Sequence, residues 1–248
     1  MAILFASMQE IYARQYIHSE TSTYYLVENL ASGTKIFTYD VGYGKPTRPL
    51  DLRVATPLRL GQDSSKEVTS HYSSVWNTTL NVPVSNSLVG FYSDYPQMDA
   101  KFYASAALSQ EFVNVFKPLV TKGTSSTCKV NELLSFLQRD FKYMIDQEQF
   151  EREKPFFCEE NFVYSYNDCE DRSILLSSLI RNILGLKVVL LDYKEHMAIA
   201  VCLDEPVKGD HLVLDNQKYY VCDPTYIGAS IGMSMPQYKN KPVTVYRL

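Results

Sequence analysis

The chain has 248 residues, with 24 Lys plus Arg against 28 Asp plus Glu, a formal net charge of −4. A mildly acidic chain without a basic cluster lacks the electrostatic footprint of a nucleic-acid or anionic-lipid binder, and no apolar run approaches the roughly 18 residues that a membrane span needs. At 46% hydrophobic and 21% charged residues, the composition is that of a soluble globular protein able to bury one large core or two small ones. Its 19 tyrosines favour β-structure and half-wet clefts alike.

In chain order, the start Met1–Glu10 lacks the basic n-region and long apolar core of a signal peptide. Localisation is therefore open, and export would require a leader outside this sequence. Ile3, Leu4, Met8, Ile11, Tyr12 and Tyr16 fall at helical spacing, which predicts a short helix over 3–16. The runs Tyr24–Val27 and Lys35–Tyr39 flank a Ser-Gly turn and predict a β-hairpin. Prolines at 46, 49, 57, 83 and 96 predict irregular chain with short strands from Gly42 to Pro96. The texture changes there, so residues 1–95 are expected to form a β-containing N-terminal region and 96–248 a catalytic core. Helices are predicted over 98–117, stopping at Pro118, and over 130–145, whereas Asp146–Tyr166 has no clear period.

The segment Ser173–Leu184 predicts a helix that ends at Gly185, with Asn167-Asp168 as N-cap candidates. Lys187–Tyr193 and Met197–Leu203 read as buried strands. His211–Leu214 and Lys218–Cys222, separated by Asp215-Asn216-Gln217, read as two more. The fold class is thus α+β, a helix packed on an antiparallel sheet. Five cysteines, at 128, 158, 169, 202 and 222, form no C-x-x-C pair, so no metal site is offered and at least one thiol is free unless it pairs between chains.

Cys169 falls at the start of the predicted helix, where unpaired N–H groups and the helix dipole favour a thiolate and can serve a developing oxyanion. This placement predicts a lowered thiol pKa. His196 opens one strand and Asp223 ends another, each step being 27 residues. Antiparallel pairing with 222 opposite 197 and 217 opposite 202 would set Asp223 beside His196 and keep Cys202 from facing Cys222. Thiol, imidazole and an orienting carboxylate are the parts of nucleophilic acyl transfer. Cys158 is the rival nucleophile, without a helix start signal. His18, His71 and His211 read as surface or core residues, and Glu170, Asp171 and Arg172 as structural residues of a first helical turn.

The segments Asp168-Cys-Glu-Asp-Arg-Ser173, Gly185-Leu186, His196-Met-Ala-Ile-Ala-Val201 and Tyr219-Tyr-Val-Cys-Asp-Pro-Thr-Tyr226 resemble the transglutaminase-like superfamily. Within it, the likeness is to bacterial transglutaminase-like cysteine peptidases of the Bacteroidetes type. It covers about 128–238, extends toward 96, and fades in the first 95 residues. The resemblance implies a papain-like core, a Cys169–His196–Asp223 triad and a peptide or protein amide substrate. It also implies hydrolysis through a thioester rather than crosslinking, with no cofactor and no counterpart of the calcium sites. An oxyanion donor is expected among Tyr164, Tyr166 and Asn167. The competing expectation is a non-catalytic peptide- or carbohydrate-binding module that keeps the fold. A further expectation is that tyrosines of the first 95 residues line one wall of the cleft.

Overall fold

The computed structural model describes residues 14–18, 22–29, 34–41, 50–54, 66–85, 89, 92, 99–106, 108–120 and 125–248. Contacts divide the chain into two units, Met1–Lys66 with Ser85–Asp99 and Glu67–Val84 with Ala100–Leu248. In the first unit β1 (Arg14–His18), β2 (Ser22–Asn29), β3 (Thr34–Val41) and β4 (Leu50–Val54) form an antiparallel sheet in that order. β2 and β3 pair from Ser22↔Val41 to Asn29↔Thr34, the predicted hairpin. Most of the helix expected over 3–16 lies outside the described residues, but Tyr16 is on β1, paired with Tyr25, rather than on a helix.

In the second unit, β5 (Lys66–Ser73) and β6 (Thr78–Ser85) are longer than the short strands expected there. The hairpin residues 67–84 belong with the chain beyond Ala100, across the boundary expected at 95/96. Side-chain bonds explain this. Asp140 accepts from Ser73 Oγ at 2.6 Å and from Ser74 N at 3.1 Å, and the Trp76 and Phe136 rings lie 4.8 Å apart.

The single helix expected over 98–117 is two, α1 (Ala100–Ser105) and α2 (Gln110–Val120). Ser109 starts the second, its Oγ accepting from Phe112 N at 3.1 Å. Pro118 sits within the last turn of α2, where it costs one hydrogen bond rather than a helix. α3 (Ser126–Arg139) stops at Asp140, short of the predicted 145, so Phe141 and Ile145 lie beyond it. β7 (Lys142–Tyr143) then pairs in parallel with β8 (Tyr166–Asn167), Tyr143 opposite Asn167. Between them run the short α4 (Asp146–Phe150) and a 3-10 turn, Cys158–Phe162.

α5 (Cys169–Leu179) continues as one π-helical turn, Ile180–Leu184, and ends at Gly185, whose φ of 66° is the left-handed geometry that suits glycine. The remaining strands are β9 (Val188–Tyr193), β10 (His196–Cys202), β11 (His211–Leu214), β12 (Gln217–Cys222) and β13 (Thr244–Arg247). They form one antiparallel sheet in the order β11-β12-β10-β9-β13. The Asp215-Asn216 turn takes φ of 49° and 60° at its two residues, as a two-residue hairpin of this hand requires.

Strand alternation divides the sheet into two faces. Val189, Leu191, Tyr193, Ala198, Ala200, Tyr219 and Val221 cluster with Tyr238, Val243 and Val245. The other set includes Leu190, Ile199, Val201 and Cys222, all fully buried, and faces α5 with its buried Ile174, Leu175, Leu176 and Leu179. β10 and β12 pair with Ile199↔Cys222 and Cys202↔Tyr219, two residues from the expected register. The slip preserves the faces, and all five cysteines are free. The mixed helix and antiparallel sheet make the chain α+β. Among the described residues no helix is long and apolar enough to cross a membrane.

Candidate active site

The start of α5 is fixed by its own sequence. Asp168 caps it, Oδ1 accepting from Glu170 N at 2.9 Å and Asp171 N at 3.2 Å. Asp171 completes a capping box by accepting from Asp168 N at 3.2 Å, and its other oxygen takes Phe156 N at 2.8 Å. Cys169 is therefore the first residue of a well-capped helix.

The same helix end grips the start of β10. Ser173 Oγ, one helical turn on from Cys169, donates to Met197 O at 3.0 Å. Met197 has this carbonyl to offer because the β10–β12 ladder begins only at Ile199. The nucleophile candidate is thereby seated against the peptide unit that follows His196.

His196 Nε2 lies 2.8 Å from Asp223 Oδ2, with both side chains buried. The carboxylate accepts, so Nε2 carries the proton and Nδ1 the lone pair, a tautomer assigned from the partner. Asp223 is held in turn. Its Oδ1 accepts from Thr225 N at 3.0 Å, Thr225 Oγ1 at 2.8 Å and Tyr226 N at 3.2 Å, an Asx turn that the Asp-Pro sequence builds. Gln138 Nε2 donates to Asp223 O at 3.0 Å and Ala229 O at 3.1 Å, tying this loop to α3. The Tyr238 ring stacks on the imidazole, centroids 4.5 Å apart and planes 17° apart.

No hydrogen bond between Cys169 and His196 is found among the described residues. Such contacts are often long without substrate and tighten when it binds. The lowered thiol pKa expected from the helix end is not found. Burial pushes the Cys169 thiol up to about 12, the Asp168 carboxylate pushes the same way, and the Met197 N–H only partly opposes them. The resting group is a thiol. Cys158 begins a 3-10 turn after all, but burial pushes its thiol well above the usual range too.

The three residues expected near the oxyanion have different surroundings. Asn167 is buried with its amide committed, Oδ1 accepting from Arg172 Nε at 2.7 Å and Nδ2 donating to Asn161 Oδ1 at 2.9 Å. Tyr164 meets Phe150 edge-on and Phe156 at a tilt around the Lys154 ammonium. Tyr166 carries β8, with Lys142 Nζ 6.0 Å from its ring centre. The parallel β7–β8 pairing instead brings Tyr143 toward Cys169. Burial first, then the Cys169 and Asp168 charges, push its phenol up to about 12, so it keeps its proton.

A cleft of about 420 Å³ opens beside His196, with Phe141, Tyr143, Arg172, Glu195, Ile227 and Tyr238 among its walls. Arg172 is only 2% exposed. Besides Asn167 it donates to Phe141 O at 3.0 Å, and its guanidinium lies 5.6 Å from the Tyr143 ring centre. It thus joins the three segments that wall the cleft. A larger cavity of about 580 Å³, bordered by Arg181, Lys187 and Arg247, is lined by none of Cys169, His196 and Asp223. Among the described residues no three His, Cys, Asp or Glu side chains converge as metal ligands. No family model, no curated protein and no solved structure matches the chain.

Proposed function

We propose that the chain is a thiol-dependent acyl-transfer enzyme with a transglutaminase-like, papain-like core, acting on peptide or protein amides and favouring hydrolysis over crosslinking. The observation that carries the reading is the 2.8 Å bond between His196 Nε2 and Asp223 Oδ2, next to a helix whose first residue is Cys169. In the proposed reaction His196 Nδ1 takes the thiol proton as the sulfur attacks the substrate carbonyl. The tetrahedral adduct collapses to a thioester while the imidazolium returns that proton to the departing amine. Water, deprotonated by the same nitrogen, then attacks the thioester and releases the acid and the thiol. Asp223 keeps Nδ1 free by holding Nε2–H and supports the imidazolium. A thiol near 12 makes transfer to His196 part of the attack rather than a prior step. The Cys169 N–H, at the helix end, and the protonated Tyr143 phenol are the oxyanion donors this reading selects.

The test is to incubate the protein with a casein digest and record intact mass after acid quench. The expected result is a hydroxylamine-sensitive adduct on Cys169 and new peptide termini, both lost in Cys169→Ala and strongly reduced in His196→Ala. An adduct on another cysteine, or proteolysis that survives Cys169→Ala, would refute it. The second reading, a peptide- or carbohydrate-binding module that retains this fold, draws its support from the high thiol pKa and the missing Cys169–His196 bond. It predicts binding without any adduct.

A further inference from the structure

We infer that the cleft beside His196 selects peptides in which a cationic side chain neighbours an aromatic or large aliphatic one. The inference takes its turnover consequence from the acyl-transfer reading, whereas its binding consequence stands apart from it.

The apolar half of the inference comes from the walls. Phe141, Tyr143, Ile227, Met235 and Tyr238 border the cleft. Ile227 is 72% exposed and Tyr143 51%, two of the large hydrophobic side chains that the second unit leaves in water. Scattered exposed apolar residues need no explanation, but apolar walls around a concavity mark a binding site. At about 420 Å³ the cleft falls within the roughly 300–1,000 Å³ usual for such sites, enough for one large side chain and part of its neighbour.

The cationic half comes from asking which polar groups in the cleft are uncommitted. Gln138 is used by Asp223 O, Ala229 O and Gly228 N. Thr225 is used by Asp223, and Gln237 Nε2 contacts Met235 Sδ. The Arg172 guanidinium is buried beneath Tyr143 and bonded to Asn167 and Phe141. Glu195 remains. It is exposed on the two-residue turn between β9 and β10, directly before His196, and has no hydrogen-bond or ion-pair partner among the described residues. A carboxylate at an aromatic rim favours a cation, which also gains from the neighbouring ring faces. A ligand entering past Glu195 therefore meets one exposed carboxylate and then an aromatic wall.

The experiment uses full-length protein carrying Cys169→Ala and four fluorescein-labelled hexapeptides with central pairs Lys-Phe, Glu-Phe, Lys-Ser and Gln-Phe, followed by anisotropy at low and high salt. The Lys-Phe peptide should bind about fivefold or more tighter than Glu-Phe at low salt, as suits a rim ion pair, and the ratio should shrink at high salt. Glu195→Gln should bring the ratio near one and Glu195→Lys should invert it. Ile227→Ser should weaken every Phe peptide without changing the Lys/Glu ratio. Equal or tighter binding of Glu-Phe, a preference that survives Glu195→Lys, or no binding of any peptide would overturn the inference. So would displacement of Lys-Phe by a neutral oligosaccharide but not by unlabelled peptide. Turnover of the same peptides by the Cys169 protein separates the two ideas. Selective binding without an adduct leaves the selectivity and removes the acyl-transfer reading; turnover without selectivity does the reverse.

Discussion

Replacing Arg172 by Met isolates what the buried guanidinium contributes. The side chain keeps similar length and apolar bulk, but Asn167 Oδ1 and Phe141 O lose donors at 2.7 and 3.0 Å. The contact to Pro224 O, at 3.5 Å, is too long to count. A buried acceptor such as Asn167 Oδ1 left without a partner costs about 1–3 kcal/mol, and the part-buried Phe141 O adds less than that. Part is returned because the guanidinium is itself poorly solvated, as the direction of its pKa shift, downward through burial, indicates. The net expectation is a loss of about 2–4 kcal/mol, or roughly 4–16 °C in Tm for a chain of this size. Urea unfolding followed by near-ultraviolet circular dichroism measures it, with Arg172→Lys as the intermediate that retains one donor. A Met variant within about 0.5 kcal/mol of the parent, the scatter of ordinary surface changes, would show that the three segments do not depend on this side chain.

Two further predictions concern protonation. Glu159 is buried, and burial pushes its carboxyl from 4.5 to about 7. A raised carboxylate pKa stabilises the fold below 4.5 and loses that stability as pH rises through 7. Glu159→Gln should therefore match the parent below pH 4.5 and exceed it by about 3 kcal/mol at pH 8 in urea titrations. If the two stay parallel across pH, Glu159 is not desolvated in solution. For Cys169, a thiol near 12 has about one part in 10⁵ as thiolate at pH 7, against about 3% for an ordinary cysteine. Iodoacetamide at pH 7 should modify the exposed Cys128 first, with Cys169 gaining about tenfold per pH unit up to pH 10. Faster alkylation of Cys169 than of Cys128 at pH 6 would mean that His196 already holds the proton.

What could be read from the hydrophobic pattern, and what could not, follows from what that pattern encodes. Val188–Tyr193 and His196–Cys202 were legible because both faces of those strands are buried. Their alignment with β12 was legible only in parity. A one-residue slip would turn Tyr220 and Cys222 to the wrong face, but a two-residue slip leaves every side chain on its own face, and the 203–210 connection imposes no register. Helix ends set by distant partners were equally hidden. Asp140 ends α3 while bonding Ser73 and Ser74, some 66 residues away in sequence. Residues 146–166 showed no period because their burial mixes polar and apolar side chains. Asp146, Lys154, Glu160 and Asn161 are buried beside Phe156, Phe157 and Phe162, and charged residues that pair inside a fold interrupt any apolar stripe.

The site divides along the same line. Cys169, His196 and Asp223 each stand at the end of an element with a local signal: a capping aspartate, a turn before a buried strand, and an Asp-Pro after one. Tyr143, Arg172 and Tyr238 have no such signal. Tyr143 reaches the site because β7 runs parallel to β8, a pairing of two residues on each side that no pattern announces. Tyr164, Tyr166 and Asn167 adjoin Cys169 in sequence, whereas Tyr143 comes alongside Asn167 only through the β7–β8 pairing. Arg172 looks like a charge on an exposed helical turn, and its burial follows only from the carbonyls that converge on it. The residues proposed to supply reacting groups were thus accessible through helix and strand chemistry. Those that stack on the imidazole and shape the cleft depend on side chains meeting across 95 residues, from Tyr143 to Tyr238, and only the folded chain brings them together.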